Sequence, residues 1–173
     1  RAKCLWSLAL VFGKLPRHAP TRAGGKSMAA KKKSNREATL DNLRNEALKI
    51  RRNVWRALKA AGSGHMGGSL SAAEFLAALY FHHLKVRPKE PDWPDRDRFI
   101  LSKGHANAAL GAVLAQAGFI EDAVLDQFYG YESLFGMHPD IKMAGVEMST
   151  GGLGHGLSIG LGMALGARLQ KKK

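Results

Sequence analysis

The sequence predicts part of an α/β fold that is mostly helical, with one short strand and an incomplete sheet. Apolar residues recur at three- and four-residue steps over several segments, whereas only residues 98–102 (RFILS) resemble a short strand. The 173 residues are enough for one domain with a core. Because a layered α/β fold needs further strands, we expect the chain to be the truncated N-terminal part of a larger architecture.

Five helices are predicted from apolar spacing and from glycines at helix ends. Residues 39–61 place apolar side chains on one face and end at Gly62. Residues 71–74 (SAAE) have the pattern of a capping box ahead of the apolar run FLAALYFHHL. The other helices are predicted over residues 106–117, ending at Gly118, over 121–128 and over 157–170, with an irregular loop over 129–152.

The last predicted helix contains Gly160, Gly162 and Gly166. Each internal glycine costs about 1 kcal/mol relative to alanine. Close packing of the helix backbone against another element is the expected compensation, and a membrane helix with small-residue spacing is the alternative.

The positive charge of the chain is concentrated at its ends. The formal net charge is +13, but residues 1–33 hold nine Lys and Arg and no acidic residue, and the last three residues are lysines. Residues 34–170 hold 15 basic and 14 acidic residues, which argues against a nucleic-acid-binding protein. We therefore divide the chain into a disordered basic extension, residues 1–33, and a partial domain, residues 34–173.

Residues 1–27 are interpreted as an upstream extension without a fold of its own. Met28 opens MAAKKKSNREATL, which has the character of an ordinary N-terminus. The preceding apolar stretch CLWSLALVFG is too short to span a bilayer, and a signal or transit peptide is the alternative. The single cysteine, Cys4, suits a reducing compartment, so we expect a cytoplasmic protein that binds no membrane.

Four histidines stand beside glycines in short loops: GSGHMGGS around His65, LSKGHANAAL around His105, GMHPD around His138 and STGGLGHGLS around His155. Glycine lets backbone N–H groups approach a ligand, and helix N-termini favour anions. Histidine can donate to a phosphate oxygen or exchange a proton near neutral pH. Together the loops predict a site for a phosphorylated ligand where proton transfer also occurs. For any one loop alone, a histidine satisfied by nearby carbonyls is the alternative.

Other patterns point away from metal binding. No Cys and His spacing typical of a zinc site is present. His82 and His83 are adjacent on a predicted helix, so their rings face different sides, and we interpret them as boundary residues rather than ligands.

The chain resembles the N-terminal, diphosphate-binding part of transketolase. The similarity is carried, in this order, by SGHMGGSLSAAE, PDWPDRDRFILSKGHANAAL, HPD and GVEMSTGGLGHGLSIGLGMALGARL, and it covers about residues 38 to 170. It is greatest to the split bacterial and archaeal form, which is made as two chains. The resemblance implies a thiamine-diphosphate-dependent enzyme that transfers a two-carbon ketol unit from a ketose phosphate to an aldose phosphate, as in the pentose phosphate pathway. A catalytically lost binding module of the same fold, or a deoxyxylulose phosphate synthase, is the alternative.

The resemblance also implies roles for individual residues. His65 would face the substrate and the thiazolium ring, and His138 would hydrogen-bond the sugar oxygens near the reacting carbon; both would be catalytic and substrate-binding. His105 would contact the diphosphate of the cofactor. The residues that would line the thiamine are Gly151, Gly152 and Leu153, with Leu153 supporting the bent form of the cofactor.

The sequence departs from the family pattern at several points. Met66 stands where the family usually has proline, Met137 stands where it has glycine before the HP pair, and His155 often corresponds to glutamine, so no role is assigned to His155. The family's Gly-Asp-Gly metal motif is not in the sequence, so Mg²⁺ ligands are expected beyond residue 173 and none is assigned here. The implied partner is a C-terminal transketolase chain or domain, in a dimer or heterotetramer, without which the chain is expected to be inactive.

Overall fold

A computed structural model of the chain describes residues 10–12 and 26–171, with side chains described from residue 36 onward. The elements, in chain order, are strand β1 (Leu10–Phe12), helices α1 (Lys26–Ala61), α2 (Met66–Leu70) and α3 (Ala73–Ala78), a π-helical turn (Leu79–His83), strand β2 (Arg98–Ile100), a 3₁₀ turn (Gly104–Ala106), helix α4 (Asn107–Ala117), a 3₁₀ helix (Asp122–Gln127) and helix α5 (His155–Leu169). The predicted fold class is confirmed, since the described chain is mostly helical and its sheet is small.

The sheet consists of β1 and β2, which pair antiparallel with Val11 opposite Phe99. β2 is the strand predicted within residues 98–102. β1 lies within residues 1–33, where the sequence analysis placed a disordered extension. Residues 1–9 and 13–25 of that extension lie outside the described residues, and the division of the chain at residue 33 stays a prediction.

Helix α1 begins at Lys26, well before the predicted start at residue 39. Residues 26–38 contain neither proline nor glycine and are rich in alanine and lysine, which have high helix propensity, so nothing in this stretch stops the helix. Residues 26–33 are therefore helical in the structure rather than part of a disordered extension. The predicted end of α1 is confirmed, because Gly62 follows it with a φ of 63°.

The core lies between α1, α3 and α4, with the 3₁₀ helix of residues 122–127 closing one side. Ile50 of α1, Leu76 of α3 and Leu114 of α4 are fully buried in it. Phe135, from the loop that follows the 3₁₀ helix, fills the core above Gly111, where a Cβ atom would overlap its ring. Burial of each such Leu or Ile side chain contributes about 1.5–3 kcal/mol to the free energy of folding. The core therefore stabilises the elements from which the histidine loops extend.

The predicted capping box is wrong. Ala72 precedes α3 and no side chain caps this helix. The Ser71 hydroxyl donates instead to the carbonyl of Gly68 at 3.1 Å, and Glu74 forms an ion pair with Arg51 of α1. Because the hydroxyl and the carboxylate both have other partners, neither caps α3. The short helix α2, within the glycine loop, was also not predicted.

The other helices follow the predictions with small shifts. α4 ends at Gly118, which has a φ of 87° as expected for a glycine C-cap. The helix predicted over residues 121–128 is a 3₁₀ helix, and it is tied to α1 by ion pairs from Arg56 to Asp122 and Asp126.

Helix α5 has one packed side and one open side. A Cβ on Gly156 would lie 2.7 Å from the Cβ of Ser102, so this glycine allows close packing. By contrast, no described atom lies within 4 Å of a Cβ built on Gly162 or Gly166, for which close packing was expected. The open side carries four leucines that are 52–85% exposed, which we call the α5 leucine face: Leu157, Leu161, Leu165 and Leu169. Within the described part of the chain, no helix has the length and hydropathy needed to cross a membrane.

Candidate functional site

His65 and His105 lie side by side although they are distant in sequence. Their ring centroids are 5.2 Å apart, with the ring planes tilted by 60°. His65 is the residue that precedes α2, and His105 lies in the 3₁₀ turn that follows β2. His65 is exposed and His105 is partly buried. The pair therefore lies at the protein surface, and the His105 ring packs partly against the rest of the fold.

Gly68 of α2 makes room for the ring of His105. A Cβ at this position would lie 3.0 Å from both Cδ2 and Nε2 of His105, and 3.8 Å from Cε of Lys103. Protein interiors are close-packed, so a larger residue at position 68 would displace the imidazole. The glycine therefore fixes where the ring can lie.

The surroundings of His105 favour its neutral form. Partial burial lowers the pKa of His105, and the positive charges of His65, Lys103 and His138 lower it further. A neutral imidazole has one nitrogen that donates and one that accepts a hydrogen bond.

His138 is carried by the long loop between the 3₁₀ helix and α5. Its side chain is exposed, and the following Pro139 is buried. Asn107, fully buried at the start of α4, donates from Nδ2 to the carbonyl of Gly136 at 2.7 Å and so fixes the loop two residues before the histidine. The structure thus brings the rings of His65 and His105 together and places His138 exposed on a separate loop, and the roles assigned to the three histidines stay predictions.

The residues predicted to line the thiamine follow a segment that is fixed to the end of β2. The buried Thr150 hydroxyl donates to the carbonyl of Leu101 at 2.7 Å. Gly104 lies so close to the carbonyl of Thr150 that a Cβ there would overlap it. This contact places the exposed residues that come next beside the turn that carries His105: Gly151, Gly152 and Leu153, the last of which is 65% exposed.

A partly buried ion-pair network holds the same loop a few residues earlier. Glu147 accepts hydrogen bonds from Arg96 at 2.7 and 2.9 Å and from Arg98 of β2 at 2.9 Å. The Glu147 side chain is only 8% exposed. Burial raises the pKa of the neighbouring Tyr80 phenol, and the negative charge of Glu147 raises it further. The network therefore anchors the loop to β2 through a charge that is largely out of water.

Three other histidines of the described residues have contacts of their own. His155 begins α5 and folds back over Gly152, where a Cβ would lie 2.5 Å from its Nδ1. His82 and His83 are exposed on the π-helical turn and contact each other, with ring centroids 4.9 Å apart. Across the residues that the structure describes, no group of three or more His, Cys, Asp or Glu is arranged to hold a metal ion.

Sequence reasoning missed the residues that hold the histidines in place. Lys103 is 8% exposed and donates from Nζ to the Ser71 hydroxyl at 3.2 Å. Its position inside the SKGH motif was the one available signal. No sequence signal pointed to Asn107 or Glu147. Asn107 is bonded to a backbone carbonyl of a distant segment, and Glu147 is bonded to two arginines that are also distant in sequence.

Comparison with known proteins agrees with this geometry. Residues 44–173 match the family model described as Transketolase, thiamine diphosphate binding domain. The chain is 41% identical over 132 residues to one of the subunits of apulose-4-phosphate transketolase from Phocaeicola vulgatus, covering 76% of this chain and 47% of that protein. It is 42% identical over 125 residues to Homo sapiens transketolase, covering 72% of this chain and 20% of that protein.

Solved structures show the same relationship. The crystal structure of transketolase from Campylobacter jejuni superposes with a TM-score of 0.68 at 37% identity, over 72% of this chain and 20% of that one. The fold and the matched domain define a thiamine-diphosphate-binding protein. More particularly, the chain belongs to the transketolase family, and the resemblance inferred from its motifs is confirmed. It spans about half the length of the Phocaeicola vulgatus relative.

Proposed function

We propose that this chain provides the diphosphate-binding side of a transketolase, which transfers a two-carbon ketol unit from a ketose phosphate to an aldose phosphate. The observation that supports this most strongly is the contact between the His65 and His105 rings. A proton-handling pair beside exposed, glycine-rich backbone is what such a reaction requires of the protein.

The residues present fit thiamine diphosphate. We assign the neutral His105 to the diphosphate, because it offers an N–H donor and lies close to the positive charge of Lys103. The exposed backbone of Gly151 and Gly152 and the exposed side chain of Leu153 are suited to the thiamine. Thiamine diphosphate, when bound, supplies the carbanion and the electron sink.

The protein's own task is to orient the substrate and to move protons. Substrate hydroxyls lose and regain protons in each half-reaction, and imidazole groups can carry them near neutral pH. We assign this transfer to His65, which is exposed beside His105. We assign hydrogen bonds to the sugar oxygens to His138, which is exposed on the neighbouring loop.

The complete enzyme in this proposal includes further transketolase polypeptide, a C-terminal chain or domain in a dimer or heterotetramer. Two observations support it: the chain spans 47% of its Phocaeicola vulgatus relative, and the α5 leucine face is open. Mg²⁺, which would neutralise part of the diphosphate charge, would be held by residues outside the described part of this chain. The single cysteine supports a reducing, cytoplasmic location.

Calorimetry with thiamine diphosphate and magnesium tests the proposal. The 173-residue chain is expected to bind weakly and to have no ketol-transfer activity, and its assembly with the remaining transketolase polypeptide is expected to restore both. Tight, metal-dependent binding by the chain alone would place the metal ligands within these residues and contradict the proposal.

Kinetics of a histidine variant test the assigned proton transfer. In the assembled enzyme, His65→Ala should lower kcat by about 10²–10⁴-fold, while the affinity for thiamine diphosphate changes far less. His83→Ala, which removes an exposed histidine outside the cluster, is the matched control and should leave kcat unchanged. An unchanged kcat in His65→Ala would contradict the assigned proton transfer and leave the GSGHMGGS loop with a structural role only.

A further inference from the structure

Lys103 is a charged residue within the candidate site to which the proposed mechanism gives no role of its own. Lysine is rarely buried, yet Lys103 is only 8% exposed. It immediately precedes the 3₁₀ turn that carries His105. Its side chain is therefore largely out of solvent, with Cε 3.8 Å from the position that a Cβ on Gly68 would take.

A chain of hydrogen bonds runs from Lys103 through Ser71 to Gly68, the residue that lies against the His105 ring. Its Nζ donates to the Ser71 hydroxyl at 3.2 Å, and that hydroxyl donates to the carbonyl of Gly68 at 3.1 Å. Gly68 is the residue against which the His105 ring lies. Linked hydrogen bonds polarise and strengthen one another, so the chain ties α2 to the turn that follows β2.

The same ammonium acts on His105 through its charge. Among the described residues, the charged and titratable groups that act on His105 are His65 from the start of α2, Lys103 from the adjoining turn and His138 from the long loop. All three disfavour the protonated form of His105. Of the three, Lys103 is the one that carries an ammonium group rather than an imidazole.

We propose that Lys103 is a positioning residue of the candidate site: through Ser71 it fixes the Gly68 backbone against the His105 ring, so that the ring presents its N–H donor to a ligand in one orientation, and its ammonium group adds a positive charge beside that ring. The nature of the ligand that receives this donor rests on the proposed function. The positioning itself does not, and it can be measured without cofactor.

Histidine ring NMR on the 173-residue chain measures both parts. Lys103→Met removes the charge and keeps the length of the side chain, so the titration midpoint of His105 should move upward. Lys59→Met, an exposed lysine of α1, is the matched control and should leave the midpoint in place. Ser71→Ala keeps the charge but breaks the relay, so it should weaken the NOE between the His105 ring and the Gly68 α-protons.

Two results would overturn the proposal: a His105 midpoint that is the same in Lys103→Met and wild type, or an unchanged Gly68 to His105 NOE in Ser71→Ala. If Lys103→Met does not fold, Lys103→Arg replaces it and should retain the low midpoint that a charge at this position produces. An arginine variant with a raised midpoint would contradict the electrostatic part.

Titration of the assembled enzyme with thiamine diphosphate gives the functional readout. Lys103→Met should weaken cofactor affinity by about tenfold, the loss of roughly one hydrogen bond to a charged group, and kcat at saturating cofactor should change much less. If the wild-type assembly binds no thiamine diphosphate, the proposed function fails while the NMR result on Lys103 stands by itself. Equal affinities in wild type and Lys103→Met would contradict the positioning role.

Discussion

Replacing Glu147 by alanine should destabilise the protein through the site loop. In the folded state Glu147 accepts three hydrogen bonds, two from Arg96 and one from Arg98, and its side chain is 8% exposed. Arginine keeps its charge at any accessible pH, so the variant leaves two guanidinium groups facing the space where the carboxylate was.

The structure allows the size of this effect to be estimated. Breaking a buried ion pair by removing one partner costs about 3–5 kcal/mol. The Arg96 side chain is 14% exposed, so water would replace little of its lost interaction with the carboxylate. The Arg98 side chain is 31% exposed, so water can hydrate it after the carboxylate is removed. We therefore expect the lower value, about 3 kcal/mol. For a chain of this size that corresponds to a fall in Tm of roughly 6–12 °C.

Thermal and urea unfolding, followed by circular dichroism, measure the change. The control is Glu90→Ala, which removes the partner of an exposed ion pair with Arg87, 3.0 Å long and 51% and 60% exposed. Such pairs contribute less than about 1 kcal/mol, so Tm should barely change. Equal shifts in Glu147→Ala and Glu90→Ala would refute the reasoning, because the Glu147 network would then behave as if it were in water.

Three further substitutions test the packing and electrostatics of the site. Gly104→Ala should destabilise the fold by about 3 kcal/mol in urea unfolding, because the new Cβ would overlap the carbonyl of Thr150. Gly67→Ala should leave stability unchanged or raise it by up to about 1 kcal/mol, since no described atom lies within 4 Å of the new Cβ; equal losses in the two variants would contradict this distinction. The lowered pKa of His105 means that the folded state binds fewer protons than the unfolded state, so stability should fall as pH drops from about 6.5 through the lower folded-state pKa. Urea midpoints between about pH 7.5 and 5 should show a smaller fall in His105→Gln than in wild type, and parallel curves would contradict this pH dependence.

The regular elements could largely be predicted from local pattern. The end of α1 at Gly62 and the end of α4 at Gly118 depend on a glycine in the left-handed region, which is a local property. The start of α1 could not be placed from apolar spacing, because residues 26–38 are helical by propensity and carry few apolar side chains. The capping box failed for a different reason: the Ser71 hydroxyl is bonded to the nearby Gly68 carbonyl and to Lys103, and Glu74 is paired with Arg51 of α1.

The histidines of the site could be predicted, but not what holds them. Each stands in a motif that is recognisable locally, and the structure brings the rings of His65 and His105 together, with His138 exposed on the long loop. The contacts that place them join residues far apart in the chain, such as Asn107 to Gly136. No pattern within a short window specifies such a pair, so these supports become visible only in the folded chain.

The glycines of the histidine motifs fall into two groups, which the sequence does not separate. Gly68, Gly104 and Gly156 allow close approach, since a Cβ on each would press on His105, Thr150 or Ser102. Gly67 and Gly151 have open space where a Cβ would stand. Gly67 lies inside α2, where glycine lowers the stability of a helix relative to alanine. No described residue packs against this position to compensate. The described fold therefore gives no packing reason for glycine at these two open positions.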